Sequence, residues 1–424
     1  MPQIYSPPLD PPASETDYLR WEREPEWYRP DYDRSITSVV PTMLNLLGIS
    51  TGELPTLLHH LPESSPRRSR RALLLTLDGF GFEALSSSSR FQAIYREYGT
   101  WITSVFPSIT SAAITSIYQG LPPARHGIAG HLIWKDLPGG IVDMLRMQVV
   151  GADVPLAAAG FDVNGWKREP GILDKPLSEG LQGMHLMPKA IVGSGLSTFC
   201  YGQTRLFGFA EPVEGLSKAA RMLSDISTGF VGMYLATLDS LGHVFGADNP
   251  QISLAVRQIE EGLQWMATTL EPEIVENTVL IVATDHGQST IRQTLPLEGA
   301  DWKWLEENTR AIGFSGRVMH VYLGSAGETA ARERLQALVG AQGVILDFGE
   351  AAELAGGAKG DSWLRQSLGD MLAVLHDGIN WLKPDPPTPP FPYDTPLAAQ
   401  HGAMSRQEML VPLIVAPLSV LLGN

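Results

Sequence analysis

The chain has 424 residues, 44% of them apolar, which is enough to bury a large α/β core and excludes a disordered chain. Its 46 acidic side chains outnumber 31 basic ones, and no basic run could track a phosphate backbone, so a nucleic-acid-coating protein is excluded. A single cysteine, Cys200, forbids an intrachain disulfide. No apolar stretch is of membrane-spanning length and no leader pattern opens the chain, so the expectation is a soluble, cytoplasmic protein.

Residues 1–34, rich in Pro, Tyr, Trp, Asp and Glu, read as an arm over the surface. Ile36–Leu47 has helical spacing and stops before Gly48. Arg67-Arg68-Ser69-Arg70-Arg71 is a solvated loop before the buried strand Ala72–Leu77, which ends at Asp78-Gly79. By itself that pair is a turn signal. Thr110–Tyr118 reads as a helix, with Gly120 and Pro122-Pro123 as stops. Residues from about 127 to 194 carry frequent Gly and Pro with weak periodicity and read as an elaborated insertion.

Val231–Leu238 and Thr278–Thr284 are two further buried strands flanking an amphipathic helix, Ile252–Leu270. Strand, helix, strand is the unit of a parallel sheet. Beyond Asp301 the rhythm changes. Strands are expected at Val318–Leu323, Val344–Phe348 and Met371–Leu375, with a helix at Glu328–Leu338. A Pro-rich linker, Lys383–Pro396, leads to a last core strand at Val411–Val415. The expected fold is therefore α/β, a central, mostly parallel sheet flanked by helices, with a small α+β cap insertion. Residues 1–300 and 397–424 would form the main domain, and 301–396 the cap and linker.

Ligands bind beyond the carboxyl ends of the strands in open α/β sheets. Asp78, Asp239 and Asp285 all fall at such ends. His243 lies one helical turn after Asp239, His286 directly follows Asp285, and His401 precedes the last strand. Mixed Asp and His ligands suit Zn²⁺ or Mn²⁺ better than Mg²⁺. Two such ions about 4 Å apart can clamp a phosphoryl group, and a hydroxyl beside them becomes a nucleophile. Ser108, Thr110 and Ser111 compete for that role. A helix starting at Thr110 would also aim backbone N–H groups at a phosphate.

The stretches LLLTLDGFG, VFPSITSAAITSIYQGLPPARHGI, YLATLDSLGHVFG, VATDHGQS and QHGAMS, in this order, resemble the type I phosphodiesterase/nucleotide pyrophosphatase family of the alkaline phosphatase superfamily. The resemblance implies two zinc ions, one held by Asp78, Thr110, Asp285 and His286, the other by Asp239, His243 and His401. It also implies that Thr110 attacks phosphorus and forms a phospho-threonine that water hydrolyses. The substrate would be a small phosphate diester, pyrophosphate or nucleotide-like molecule.

The chain departs from the nucleotide pyrophosphatases at two positions. Ser111 stands where an aromatic residue usually follows the nucleophile, and Ala113 where an Asn contacts a phosphate oxygen. Ser111, His131, Trp134 and Tyr201 are the candidate substrate contacts, with Phe207 another aromatic surface. A phosphomonoesterase on the same scaffold would need further cations, for which Arg125, Lys135 and Lys167 are candidates. A sulfatase is disfavoured because its modified Cys or Ser motif is missing. A binding protein that kept the fold is disfavoured by the complete ligand set.

Overall fold

The computed structural model describes residues 9–324, 327–382 and 397–423. Seven strands form the central sheet, in the order Gly99–Thr103, Leu410–Pro417, Thr278–Ala283, Arg71–Leu77, Gly229–Leu235, Gln182–Pro188, Arg205–Phe209. Four consecutive pairings, from Thr278–Ala283 across to Arg205–Phe209, are parallel. Leu410–Pro417 runs antiparallel to both of its neighbours. The three central strands are buried along their whole length, as their continuous apolar sequences require.

Register is what builds the site. Leu77 pairs with Leu235, and Thr76 with Ala283, so the strands end side by side. The residues that follow, Asp78 and Asp285, emerge at the same rim. The strand read as Val231–Leu238 ends earlier, at Leu235, and a helix spans Thr237–Phe245. Asp239 therefore lies in the first turn of a helix, which puts His243 on the same face one turn later. The helix Thr110–Gln119 ends at Gly120 in the left-handed conformation (φ +67°), a shape glycine adopts without Cβ strain.

A second seven-stranded sheet, antiparallel throughout, forms the cap. Its order is Gly343–Asp347, Met371–Leu375, Val318–Leu323, Thr309–Ser315, Leu132–Lys135, Gly140–Asp143, Gln148–Val149. The stretch read as one insertion over about 127–194 is thus divided between two sheets. Its first part completes the cap, and Gln182–Pro188 is a core strand of the central sheet. The Pro-rich linker lies outside the described residues. The N-terminal arm does more than lie on the surface. Trp27 and Tyr28 are buried, and Tyr28 N–H bonds to Met404 O at 2.9 Å.

Candidate active site

Asp78 and Asp285 are buried, and each keeps one carboxylate oxygen without a hydrogen-bond partner, Oδ1 of Asp78 and Oδ2 of Asp285. A buried carboxylate oxygen left unpaired is costly, so this rim is built for a cation. The other oxygen of Asp78 accepts from the Tyr234 hydroxyl. The other oxygen of Asp285 accepts from Gly79 N–H at 3.3 Å and His286 N–H at 3.0 Å.

All three histidines are oriented alike. The Nδ1–H of His243 donates to Ala399 O at 2.8 Å, that of His286 to Gly287 O at 3.1 Å, and that of His401 to Ser108 O at 2.9 Å. A carbonyl only accepts, so each bond fixes the tautomer and leaves Nε2 with a lone pair. Each of these Nε2 atoms faces carboxylates. His286 Nε2 lies 3.2 Å from Asp285 and 3.6 Å from Asp78. His243 Nε2 lies 3.2 Å and His401 Nε2 3.4 Å from opposite oxygens of Asp239. Lone pairs set against carboxylates repel unless a proton or a metal ion sits between them.

Two sets of ligand atoms lie within 4.8 Å of one another, Asp78 with Asp285 and His286, and Asp239 with His286 and His401. His286 is thus in reach of both sets, and its ring stacks on that of His401 at 3.6 Å. The donor types and the unpaired oxygens fit a pair of divalent ions. The Thr110 hydroxyl lies 3.2 Å from His286 Nε2 at the start of its helix.

The electrostatics separate the two sets. Burial raises the Asp78 carboxyl, and Asp285 and Asp239 raise it further. Burial also raises Asp285. At Asp239 burial acts upward too, but His243 and His401 outweigh it and hold that carboxyl below its ordinary range. Burial would lower His243, yet Asp239 raises it. Burial and the neighbouring His286 lower His401.

The remaining candidates fall elsewhere. Ser111 is fully buried and its hydroxyl donates to Gly130 O at 2.8 Å, so it does not face a substrate. Tyr201 is buried, with its ring against Tyr118 and His185. Trp134 donates to Asp136 at 2.8 Å and lies under Arg310. It is on the opposite face of its strand from the buried Ile133 and Lys135. His131 is half-buried beside Asp143 at 3.4 Å. Ser108, the competing nucleophile, is fully buried, with its hydroxyl donating to Ala403 O at 2.7 Å and accepting from Gly402 N–H at 3.1 Å.

Two residues escaped the sequence reading. Gln288 donates to the Asp239 carboxylate at 2.6 Å, and nothing in its type or spacing marks it. Tyr234 could have been found, because the strand register pairs it with Thr76, on the same side as Asp78.

Residues 72–144 and 157–340 match the profile of the type I phosphodiesterase / nucleotide pyrophosphatase family. That is more than half of the chain, which belongs to this family of hydrolases within the alkaline phosphatase superfamily. No curated protein sequence matches it. Among solved structures, murine ectonucleotide pyrophosphatase / phosphodiesterase 5 is similar at TM-score 0.61 and 15% identity, over 81% of this chain and 87% of that one. Its inactive threonine-to-alanine variant, in complex with AMP, is similar at TM-score 0.59 and 17% identity, over 82% and 87%. Phosphonoacetate hydrolase from Sinorhizobium meliloti 1021, in complex with phosphonoformate, is similar at TM-score 0.60 and 16% identity, over 85% and 97%. Among the described residues no helix is long and apolar enough to cross a membrane.

Proposed function

We propose that this protein hydrolyses phosphate diesters or pyrophosphates with Thr110 as nucleophile and two zinc ions as cofactors. The observation that carries this reading is the common orientation of the three histidines, each Nδ1 tied to a carbonyl and each Nε2 turned to a carboxylate, with the Thr110 hydroxyl 3.2 Å from the Nε2 of His286. Asp78, Thr110, Asp285 and His286 would hold one ion, and Asp239, His243 and His401 the other. When bound, the ions supply Lewis-acid charge stabilisation at the phosphoryl oxygens and promote ionisation of the Thr110 hydroxyl.

The threonine Oγ then bonds to phosphorus as the bond to the leaving alkoxide breaks, and the alkoxide takes up a proton. Water cleaves the Oγ–P bond in a second step and restores the hydroxyl. The sum is diester plus water giving monoester plus alcohol. That the threonine-to-alanine variant of the murine protein is described as inactive agrees with this role.

A diester is favoured over a monoester because the cations that a dianion would need are engaged elsewhere. Arg125 pairs with Glu169, and Lys167 lies over the Phe199 ring. Lys135 is buried, donating to Gly127 O at 3.1 Å and Ser367 at 2.9 Å. A small phosphate ester or nucleotide-like molecule is the substrate class. The cytoplasmic setting of this reading rests on the single, buried Cys200.

The test is paired initial rates on bis-p-nitrophenyl phosphate and p-nitrophenyl phosphate, with zinc-loaded and chelated protein. Faster, chelator-sensitive cleavage of the diester is expected, and Thr110→Ala should abolish it while keeping the metal. Faster monoester cleavage would move the protein to the phosphatase branch, and full activity in Thr110→Ala would remove the nucleophile assignment.

A further inference from the structure

His401 lies on the loop that follows the short strand Ala399–Gln400, and the cap touches that loop directly. The turn that joins the cap strands Thr309–Ser315 and Val318–Leu323 abuts it. Two glycines face each other across the contact. A Cβ on Gly316 (φ +59°) would strike His401 O, and one on Gly402 (φ +112°) would strike Ser315 O. Arg317 N–H bonds to His401 O at 3.1 Å.

Beside this contact lies an ion pair with both side chains fully buried, Arg317 Nη1 to Glu408 Oε2 at 2.6 Å. The guanidinium is anchored in the cap. Its Nε donates to Ile379 O at 3.0 Å, and its Nη2 to Leu375 O at 3.1 Å. The carboxylate is anchored in the ligand loop. Its Oε1 accepts from Ala403 N–H at 3.0 Å and its Oε2 from Ser405 N–H at 3.0 Å. The loop between is pinned to the nucleophile segment through Ser108, whose carbonyl receives the His401 Nδ1–H. A hydrophobic pair of similar volume would hold the cap as well or better, since a buried ion pair is weak support for stability. What the pair adds is a fixed position for the loop.

We infer that Arg317 and Glu408 are positioning residues through which the cap sets His401 for the second metal ion. The inference rests on the two-metal reading above. The ligands Asp78, Asp285 and His286 follow strands of the central sheet, and their side chains make no bond to the pair. The one bond from Glu408 toward them, Gly287 N–H to Glu408 O at 3.2 Å, is main-chain and survives any substitution.

The experiment is zinc titration into metal-free protein by calorimetry, with metal content measured after dialysis. The double variant Arg317→Met with Glu408→Met removes both charges and so leaves no lone buried ion. One zinc should bind as in the wild type and the other about 10- to 100-fold more weakly, as for loss of an outer-shell partner. Excess zinc should restore diester cleavage. Arg317→Lys, which keeps the charge but not the fork of donors, should weaken the same ion by a smaller factor and serves if the double variant does not fold. Leu335→Ala, in the cap core and away from the loop, should leave both affinities unchanged. Wild-type affinity for both ions in whichever variant folds would overturn the inference, as would loss of the second ion in Leu335→Ala. Fewer than two ions in the wild type would overturn the two-metal reading as well.

Discussion

Asp78, Asp285 and His286 follow the ends of adjacent parallel strands, whereas Asp239 and His243 share a helical turn and His401 sits on a loop. The first set is positioned by strand ladders of seven and six residue pairs, and it is buried. Its carboxylates carry unpaired oxygens. The second set is more open, and Asp239 is already engaged by Gln288, His243 and His401. The sheet thus imposes one set rigidly, at the cost of buried charge, while the other is assembled from side-chain bonds. Such bonds can be removed one at a time.

The largest break in this comparison is Asp285→Asn. It removes a ligand from the rigid set and should lower diester cleavage by more than the ~10- to 100-fold that an outer-shell loss costs. The same substitution should raise the melting temperature of the metal-free protein, because it deletes a buried carboxylate whose Oδ2 has no partner. Calorimetry of the chelated proteins checks this. A lower melting temperature for the variant would mean that the carboxylate is not a burden on the fold.

A smaller break is Gln288→Ala, which leaves every ligand in place and removes only the amide bonded to Asp239 at 2.6 Å. One zinc should weaken by about 10- to 100-fold and the other should not change. Zinc titration decides it. Equal weakening of both ions would show that the sets are coupled through His286 instead of being separable.

The asymmetry between the sets also explains what could be read from the sequence. Strand-end Asp residues after apolar runs are visible because a buried parallel strand needs continuous Leu, Ile and Val. The Asp239–His243 pair is visible from helical spacing alone. Gln182–Pro188 was not visible, because its small and polar residues serve packing across the sheet. A Cβ on Gly183 would meet Phe230 and Leu177, and one on Gly232 would meet the buried His185. Leu132–Lys135 was not assigned to the cap because its partner, Phe314, is far along the chain. Ser111 was nominated by its position after Thr110, and Tyr201 by its type and location, and neither carries a sign of burial. The brace of Arg317 and Glu408 is a contact between distant segments with no local pattern.

The smallest expected effect concerns pH, and it sets the carboxyls of the rigid set against buried histidines elsewhere in the fold. In metal-free protein the carboxyls of Asp78 and Asp285 are raised, chiefly by burial. The native state then holds more protons than the unfolded chain from about pH 4, the ordinary carboxylate value, up to the raised native values. Their contribution to stability is therefore present at low pH and lost as pH rises through that window. Buried neutral histidines act oppositely. Burial lowers His126 and His185 to about 3 and His320 to about 4, so they cost stability as pH falls below about 6.5. The difference between metal-free Asp285→Asn and metal-free wild type cancels the histidines, which are common to both. That difference should favour the variant increasingly as pH rises above about 4, by at most about 1.4 kcal/mol per pH unit for one proton. Denaturant unfolding at several pH values measures it. A difference that does not change with pH would mean that Asp285 is ionised at the same pH in the folded and unfolded chain, and that the rigid set carries no stored charge for a metal to relieve.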